Sequence, residues 1–208
     1  MDTDDPRVLR LDARTLRGLA HPLRVRLLGL LRRHGPATAT VLAERLGLSS
    51  AATSYHLRQL AEHGFIVEDT ELGQPRERWW RAASRMTTFD IGAGIDDPEF
   101  AESTEVYLRS VTQMGADRVQ AHLDEKLQLP GAWRSAGTFN DLQLRLTPEQ
   151  ADELAERMWE LVEGYPRADE PLTDAQREQL AAADPGEGLR AVEVQLLVFP
   201  SPGDEDER

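Results

Sequence analysis

The stretch from Thr38 to Arg81 constrains the fold most, because two short helical patterns and two strand patterns follow one another there without spare residues. Thr38 caps an apolar-periodic run that ends at Leu46. Gly47-Leu48-Ser49 is a tight turn, Ser49 caps a second run through His63, and Gly64 stops it. Phe65-Ile66-Val67 and Arg76 to Arg81 read as strands, with Glu71-Leu72-Gly73-Gln74-Pro75 as the hairpin tip between them. Leu42 and Leu46 on the first helix, with Thr53, Leu57 and Leu60 on the second, form an apolar seam that locks the pair at a steep angle. Two helices joined in this way and followed at once by a hairpin describe a winged helix-turn-helix.

Such a pair presents the N-terminal residues of its second helix to a major groove about 12 Å wide. With Thr53 at the centre of the buried face and about 100° per residue, Ala51, Tyr55, Arg58 and Glu62 point outward, and Ala52, Ser54 and Gln59 lie on the flanks. Ser49 and Ser50 sit at the helix start, where a hydroxyl and a backbone N–H both reach phosphate. His56 stands about 60° from the core centre by the same helical count and has two readings, an edge-packing residue or a DNA contact. Arg76 and Arg78 in the hairpin are placed to hold a backbone phosphate or enter a minor groove. The expected DNA-contacting set is therefore Ser49, Ser50, Ala51, Ser54, Tyr55, His56, Arg58, Gln59, Arg76 and Arg78.

The flanking patterns complete the expectation. Residues 1–10 read as disordered, Asp12 opens a helix to about Ala20, and Pro22 suits the first turn of the next. In that helix Leu23, Leu27, Leu30 and Leu31 mark a buried stripe, and Gly35-Pro36 ends it. After a loop through Gly92, Gly94 and Asp96-Asp97-Pro98, a long helix is expected from about Glu99 to Leu127. Leu142, Leu144 and Leu146 alternate with polar residues, as do Val192, Val194, Leu196 and Val198, and both segments read as half-buried strands. Between them, Thr147-Pro148-Glu149-Gln150 opens a helix through a capping box, and a shorter helix is expected over Asp174–Ala183. The fold class is mainly α, in the α+β sense: a winged helix-turn-helix followed by a helical region with a small antiparallel sheet. The domains are 1–10 disordered, 11–85 winged helix-turn-helix, 86–199 dimerisation and effector region, and 200–208 disordered acidic tail.

Charge divides along the same boundary. The net charge is −13, yet residues 7–85 hold 14 arginines against 7 acids and residues 86–208 hold 10 bases against 27 acids. A basic half meets phosphates and an acidic half is repelled by them. There is no cysteine, which excludes disulfides, thiolate metal sites and cysteine nucleophiles. The sequence contains no apolar run near the roughly 20 residues that span a bilayer, and its acidic first ten residues are not a signal peptide; a cytoplasmic, nucleoid-associated place is expected, with no membrane partner. A Gly-rich phosphate loop, an elbow serine and a zinc spacing are all missing, so no enzyme is expected.

Ala20-His21-Pro22-Leu23-Arg24, Leu42-Ala43-Glu44-Arg45-Leu46-Gly47-Leu48-Ser49, Ser54-Tyr55-His56-Leu57-Arg58-Gln59-Leu60 with Gly64, and the wing Arg76-Glu77-Arg78-Trp79-Trp80 resemble the ArsR-like family of winged-helix regulators, over about Leu11 to Ala82. The resemblance implies a homodimer on double-stranded DNA, a repressor released from a palindromic operator by an effector, here a small molecule of unspecified chemistry. Metal-sensing members use cysteine or His/Asp/Glu clusters. The long helix carries Glu102, Glu105, His122, Asp124 and Glu125, with a single histidine, so neither metal nor cofactor is expected. One recognition helix reads only a few base pairs, and two related by a two-fold axis read a palindrome. The expected dimer surface is Leu16 and Leu19 of the first helix with Phe100, Tyr107, Val111 and Met114 of the long one. The alternative reading is a protein-interaction module that uses the winged helix without reading DNA.

Overall fold

Side-chain caps set where the helices begin. In the computed structural model, which describes residues 8–72, 77–88, 96–183 and 188–201, Asp12 accepts from the Thr15 amide and opens α1 (Ala13–Arg17). His21 opens α2 (Pro22–His34) by accepting from the Leu23 amide through Nδ1, with Pro22 at the first helical position. Thr38 caps α3 (Ala39–Leu46) and Ser49 caps α4 (Ser50–Glu62). The α3–α4 turn closes on Gly47 at φ 65°, a left-handed conformation that glycine adopts without a Cβ penalty.

The wing follows directly. Strands β2 (Ala37–Thr38), β3 (Ile66–Glu68) and β4 (Trp79–Ala82) form an antiparallel sheet in the order β2-β4-β3, with Ala37 opposite Trp80 and Ile66 opposite Ala82. Residues 73–76, which include part of the expected hairpin tip and Arg76, lie outside the described residues. Trp80 is buried and Trp79 half-buried.

Leu16, Leu19, Leu27, Leu42, Leu57, Leu60, Phe65, Ile66 and Thr53 are the largest fully buried side chains, so the expected seam lies in the core, except that Leu46 is half-buried at its edge. In α2 the buried face is Val25, Leu27, Leu28 and Leu31, with Leu23 and Leu30 half-covered at its edges. The stripe is wider than its leucine spacing announces because both α4 and β4 pack on this helix.

Two features of this first half go beyond what the sequence pattern shows. Val8–Arg10 form a strand, β1, paired in parallel with β5 (Met86–Thr88), Val8 opposite Met86. These three residues do not belong to a disordered end; their partner lies far along the chain, and composition near the terminus does not encode it. The remaining terminal residues, 1–7 and 202–208, lie outside the described residues. Arg32, in the last turn of α2, is half-buried. Its Nε donates to the Ser84 carbonyl at 3.0 Å and Nη2 to Ser84 Oγ at 3.1 Å. Thr87 Oγ1, 3.5 Å from Nη1, lies 2.9 Å from the Tyr107 hydroxyl. Burial lowers the Arg32 pKa to about 10, opposed by Tyr107.

The long helix α5 runs Pro98–Glu125 and ends in a 3-10 turn, Lys126–Gln128. Its covered face is Phe100, Ser103, Thr104, Ser110 and Gly115, with Tyr107 and Met114 against the core cluster. This face is richer in small and polar residues than the expected stripe, and Val111 stands outside it, 38% exposed.

By contact the chain divides into two compact units, one reaching to Val119 and one running from Gln120. The second holds α6 (Gly131–Ser135), α7 (Pro148–Glu163) and α8 (Asp174–Ala182). Thr147 and Gln150 form the expected capping box of α7. No described residue of this unit is fully buried. The two alternating segments are not strands: 141–147 and 189–201 carry no ladder, and Leu142 is 79% and Val192 64% exposed. Alternation states which side chains share a face, but a strand also needs a neighbour to pair with and a layer to cover it. Gln143 Nε2 lies 3.5 Å from Ser201 Oγ. The small antiparallel sheet of this fold is therefore the wing.

Two glycines test the packing of the first unit. A Cβ on Gly18 would lie 2.6–2.7 Å from His63 Cγ and Cβ and Phe65 Cε2, and none of these atoms is the loose end of a flexible chain. Gly18→Ala is expected to destabilise by about 1–3 kcal/mol, the usual range for overpacking. A Cβ on Gly29 would meet only Met114, its methyl at 2.6 Å and its sulfur at 3.9 Å. That methyl swings aside, and alanine favours a helix interior by about 0.8–1.0 kcal/mol over glycine, so Gly29→Ala is expected to be near neutral. Urea denaturation of both variants checks the pair; equal losses would contradict the packing described here.

Candidate nucleic-acid interface

The second helix of the motif, α4, has two faces. Thr53, Leu57 and Leu60 are buried, and the Thr53 hydroxyl returns to the Ser49 carbonyl at 3.1 Å, which satisfies it inside the core. Ser49, Ser50, Ala51, Tyr55, Arg58 and Glu62 are exposed, Tyr55 to 54%. Ser54, His56 and Gln59 are half-buried along the edges. Arg58 Nε leans on the Ser54 carbonyl at 3.3 Å, and Gln59 Nε2 reaches Glu62 at 3.0 Å. The helical count thus places these side chains where the structure has them. Ser49, however, uses its hydroxyl to cap the Ala52 amide at 3.2 Å, which leaves that oxygen partly engaged.

On the wing, Arg78 is exposed, pairs with Glu68 at 3.1 Å and lies 5.5 Å from the centre of the Trp80 ring. Surface pairs of this kind contribute little, so the arginine can exchange its carboxylate for a phosphate. Arg76 is not among the described residues.

His56 does not stand alone. Its ring centre lies 4.4 Å from that of His21 and 5.2 Å from that of Tyr55. Burial lowers the pKa of both histidines, and the Arg24 cation adds to the effect. Arg24 donates from Nη2 to the Arg17 carbonyl at 3.1 Å. The sequence reading missed His21 and Arg24 as members of this group. No local signal brings them to His56, because the approach is made by packing α2 on α4.

The expected dimer residues separate into two sets. Leu16 and Leu19 are fully enclosed in the chain's own core, and Phe100 is buried there too. Tyr107 and Met114 pack against the same core. Leu16, Leu19 and Phe100 have no surface to offer a partner, because α1 and the start of α5 cover this core directly. Of the six, Val111 is the exposed one, with Leu108 beside it.

The second unit holds the aromatic residues Trp133, Phe139, Trp159 and Tyr165. Phe139 and Tyr165 are mostly exposed. Trp133 Nε1 donates to the Gly188 carbonyl at 3.0 Å, and the Arg167 guanidinium lies 5.7 Å from the centre of the Trp159 ring. Among the described residues no group of three or more His, Asp or Glu side chains is placed to hold a metal ion, and no helix is long and apolar enough to cross a membrane.

Comparison with known proteins bears on the first unit. Residues 19–69 match the family model of a helix-turn-helix domain. This chain carries a helix-turn-helix domain. The match takes in α2, α3, α4 and β3, the elements that build the exposed face just described. Such a domain supports DNA binding and a role in transcription regulation. Among solved structures the chain is similar to Lactococcus lactis ZitR, a double mutant in apo form, at 17% identity over 69% of this chain and 82% of that one, with a TM-score of 0.30. Comparison with curated proteins gives no match.

Proposed function

We propose that this chain is a sequence-specific DNA-binding transcription regulator of the ArsR-like class, a cytoplasmic, nucleoid-associated repressor that grips a palindromic operator as a homodimer. The observation that carries the reading is the exposed N-terminal face of α4, with Ser50, Ala51, Tyr55 and Arg58 on a helix whose opposite face is locked into the core. A rigid helix with an outward polar and aromatic face is what major-groove readout requires. In this reading residues 11–85 read DNA, and residues 86–199 supply the dimer contact and the response to a small-molecule effector. The basic character of residues 7–85 supplies the attraction to phosphate, and the acidic remainder is held away from it. The chemistry needs no cofactor or metal.

Sequencing the DNA fragments that the purified protein retains from its own genome tests the proposal. The expected result is a small set sharing an inverted repeat. Retention of no specific fragment would transfer the winged helix to a protein partner. On a retained fragment, Tyr55→Ala is expected to weaken binding by about 1–3 kcal/mol, the range for a good base contact. Circular dichroism serves as the folding control, and unchanged affinity in the folded variant removes Tyr55 from the interface.

A further inference from the structure

The cluster of Arg24, His21 and His56 has more donor capacity than the protein uses. Arg24 Nε and His56 Nδ1 are shielded from solvent and have no hydrogen-bond partner. One of the guanidinium's nitrogens, Nη2, is held by the Arg17 carbonyl. His21 accepts at Nδ1 from the Leu23 amide, so in its neutral form its proton sits on Nε2 and faces outward as a donor. Among the described residues no carboxylate pairs with any of the three. Arg17, whose carbonyl holds Arg24, pairs its own guanidinium with Glu99 at 2.6 Å. The backbone amides at the start of α2 are not the attraction: Leu23 is capped by His21 Nδ1, and Arg24 and Val25 bond the His21 carbonyl at 2.9 and 3.3 Å.

The group borders the outward face of α4. The His21 ring lies against that of His56, and the His56 ring against that of Tyr55, across the α2–α4 junction; burial lowers the Arg24 pKa and Tyr55 opposes that shift. When Tyr55 faces a major groove, the flank beside it meets the phosphates that edge that groove.

We propose that Arg24, flanked by His21 and His56, seats a DNA backbone phosphate, so that the interface extends beyond the recognition helix and the wing onto the first turn of α2. This rests on the DNA-binding reading above and adds to it a contact that positions the protein on the duplex and carries no sequence information. Burial and the arginine hold both histidines below the ordinary histidine range, so at neutral pH they act as N–H donors and Arg24 is the one full charge at the seat.

The test is the salt dependence of affinity at neutral pH, read on a retained genomic fragment and on a mixed-sequence duplex. Arg24→Gln is expected to flatten the plot of log affinity against log salt by about 0.9 per protomer, or about 2 for a dimer. The loss should be equal on both DNAs, and Arg24→Lys should restore it. If losing the bond to the Arg17 carbonyl unfolds Arg24→Gln, Pro22→Glu serves instead. It puts an opposing charge at an exposed first-turn position that favours acids, and it should flatten the slope by a similar amount. Parallel plots from folded variants overturn the seat while leaving the DNA reading standing, as does a slope that Arg24→Lys fails to restore. A wild-type protein that binds neither duplex overturns the DNA reading and this inference with it.

Discussion

Replacing Phe65 by alanine is expected to cost about 3–5 kcal/mol, the range for a large aromatic removed from a core. That is a large fraction of the 5–15 kcal/mol that holds a domain of this size. Phe65 is fully buried, its ring edge faces Gly18, and its backbone ties α4 to the sheet: its amide donates to the Leu60 carbonyl, and its carbonyl accepts from Ala83, both at 2.9 Å. The truncated side chain leaves a void bounded by α1, α4 and the wing, three elements whose caps and hydrogen bonds prevent them from closing in. Chemical denaturation of wild type and variant, followed by far-ultraviolet circular dichroism, measures the loss. A cost below about 1 kcal/mol would show that the site relaxes and that the core is not organised as described.

The second large effect concerns assembly. Val111→Glu places a charge on the exposed apolar edge of α5, beside Leu108. If the proposed homodimer uses this edge, the variant becomes a monomer and keeps one of two half-sites. Its loss on a palindromic fragment should approach half of the roughly 4–10 kcal/mol that separates specific from non-specific binding. Light scattering decides the first step and fluorescence titration the second. A wild-type mass near 23.3 kDa at micromolar concentration removes the dimer altogether. A dimer unaffected by Val111→Glu moves the contact off this edge of α5. Since Leu16, Leu19 and Phe100 are enclosed within one chain, substitutions there should act on stability before they act on assembly.

The first half of this chain was legible because its signals are local. Asp12, Thr38 and Ser49 cap helices through side chains that reach amides three residues on, and Gly47 turns the chain at a positive φ. The period of Leu42, Thr53, Leu57 and Leu60 names a single face, and the turn between the helices leaves that face one way to close. Exposure along α4 follows from the same count, so Tyr55 and Arg58 could be placed outward without coordinates. These are properties of a few consecutive residues, and the sequence determines them by itself.

Tertiary structure decided what depends on distant partners. The pairing of Val8–Arg10 with Met86–Thr88, the burial of Arg32 against Ser84 and Thr87, and the meeting of His21 with His56 each join residues far apart in the chain. The same reason explains the failure in the second unit. Leu142–Leu146 and Val192–Val198 have the period of strands, yet period specifies only a face. Whether that face is paired and covered is settled by elements the segment does not contain, and among the described residues neither segment has a ladder partner.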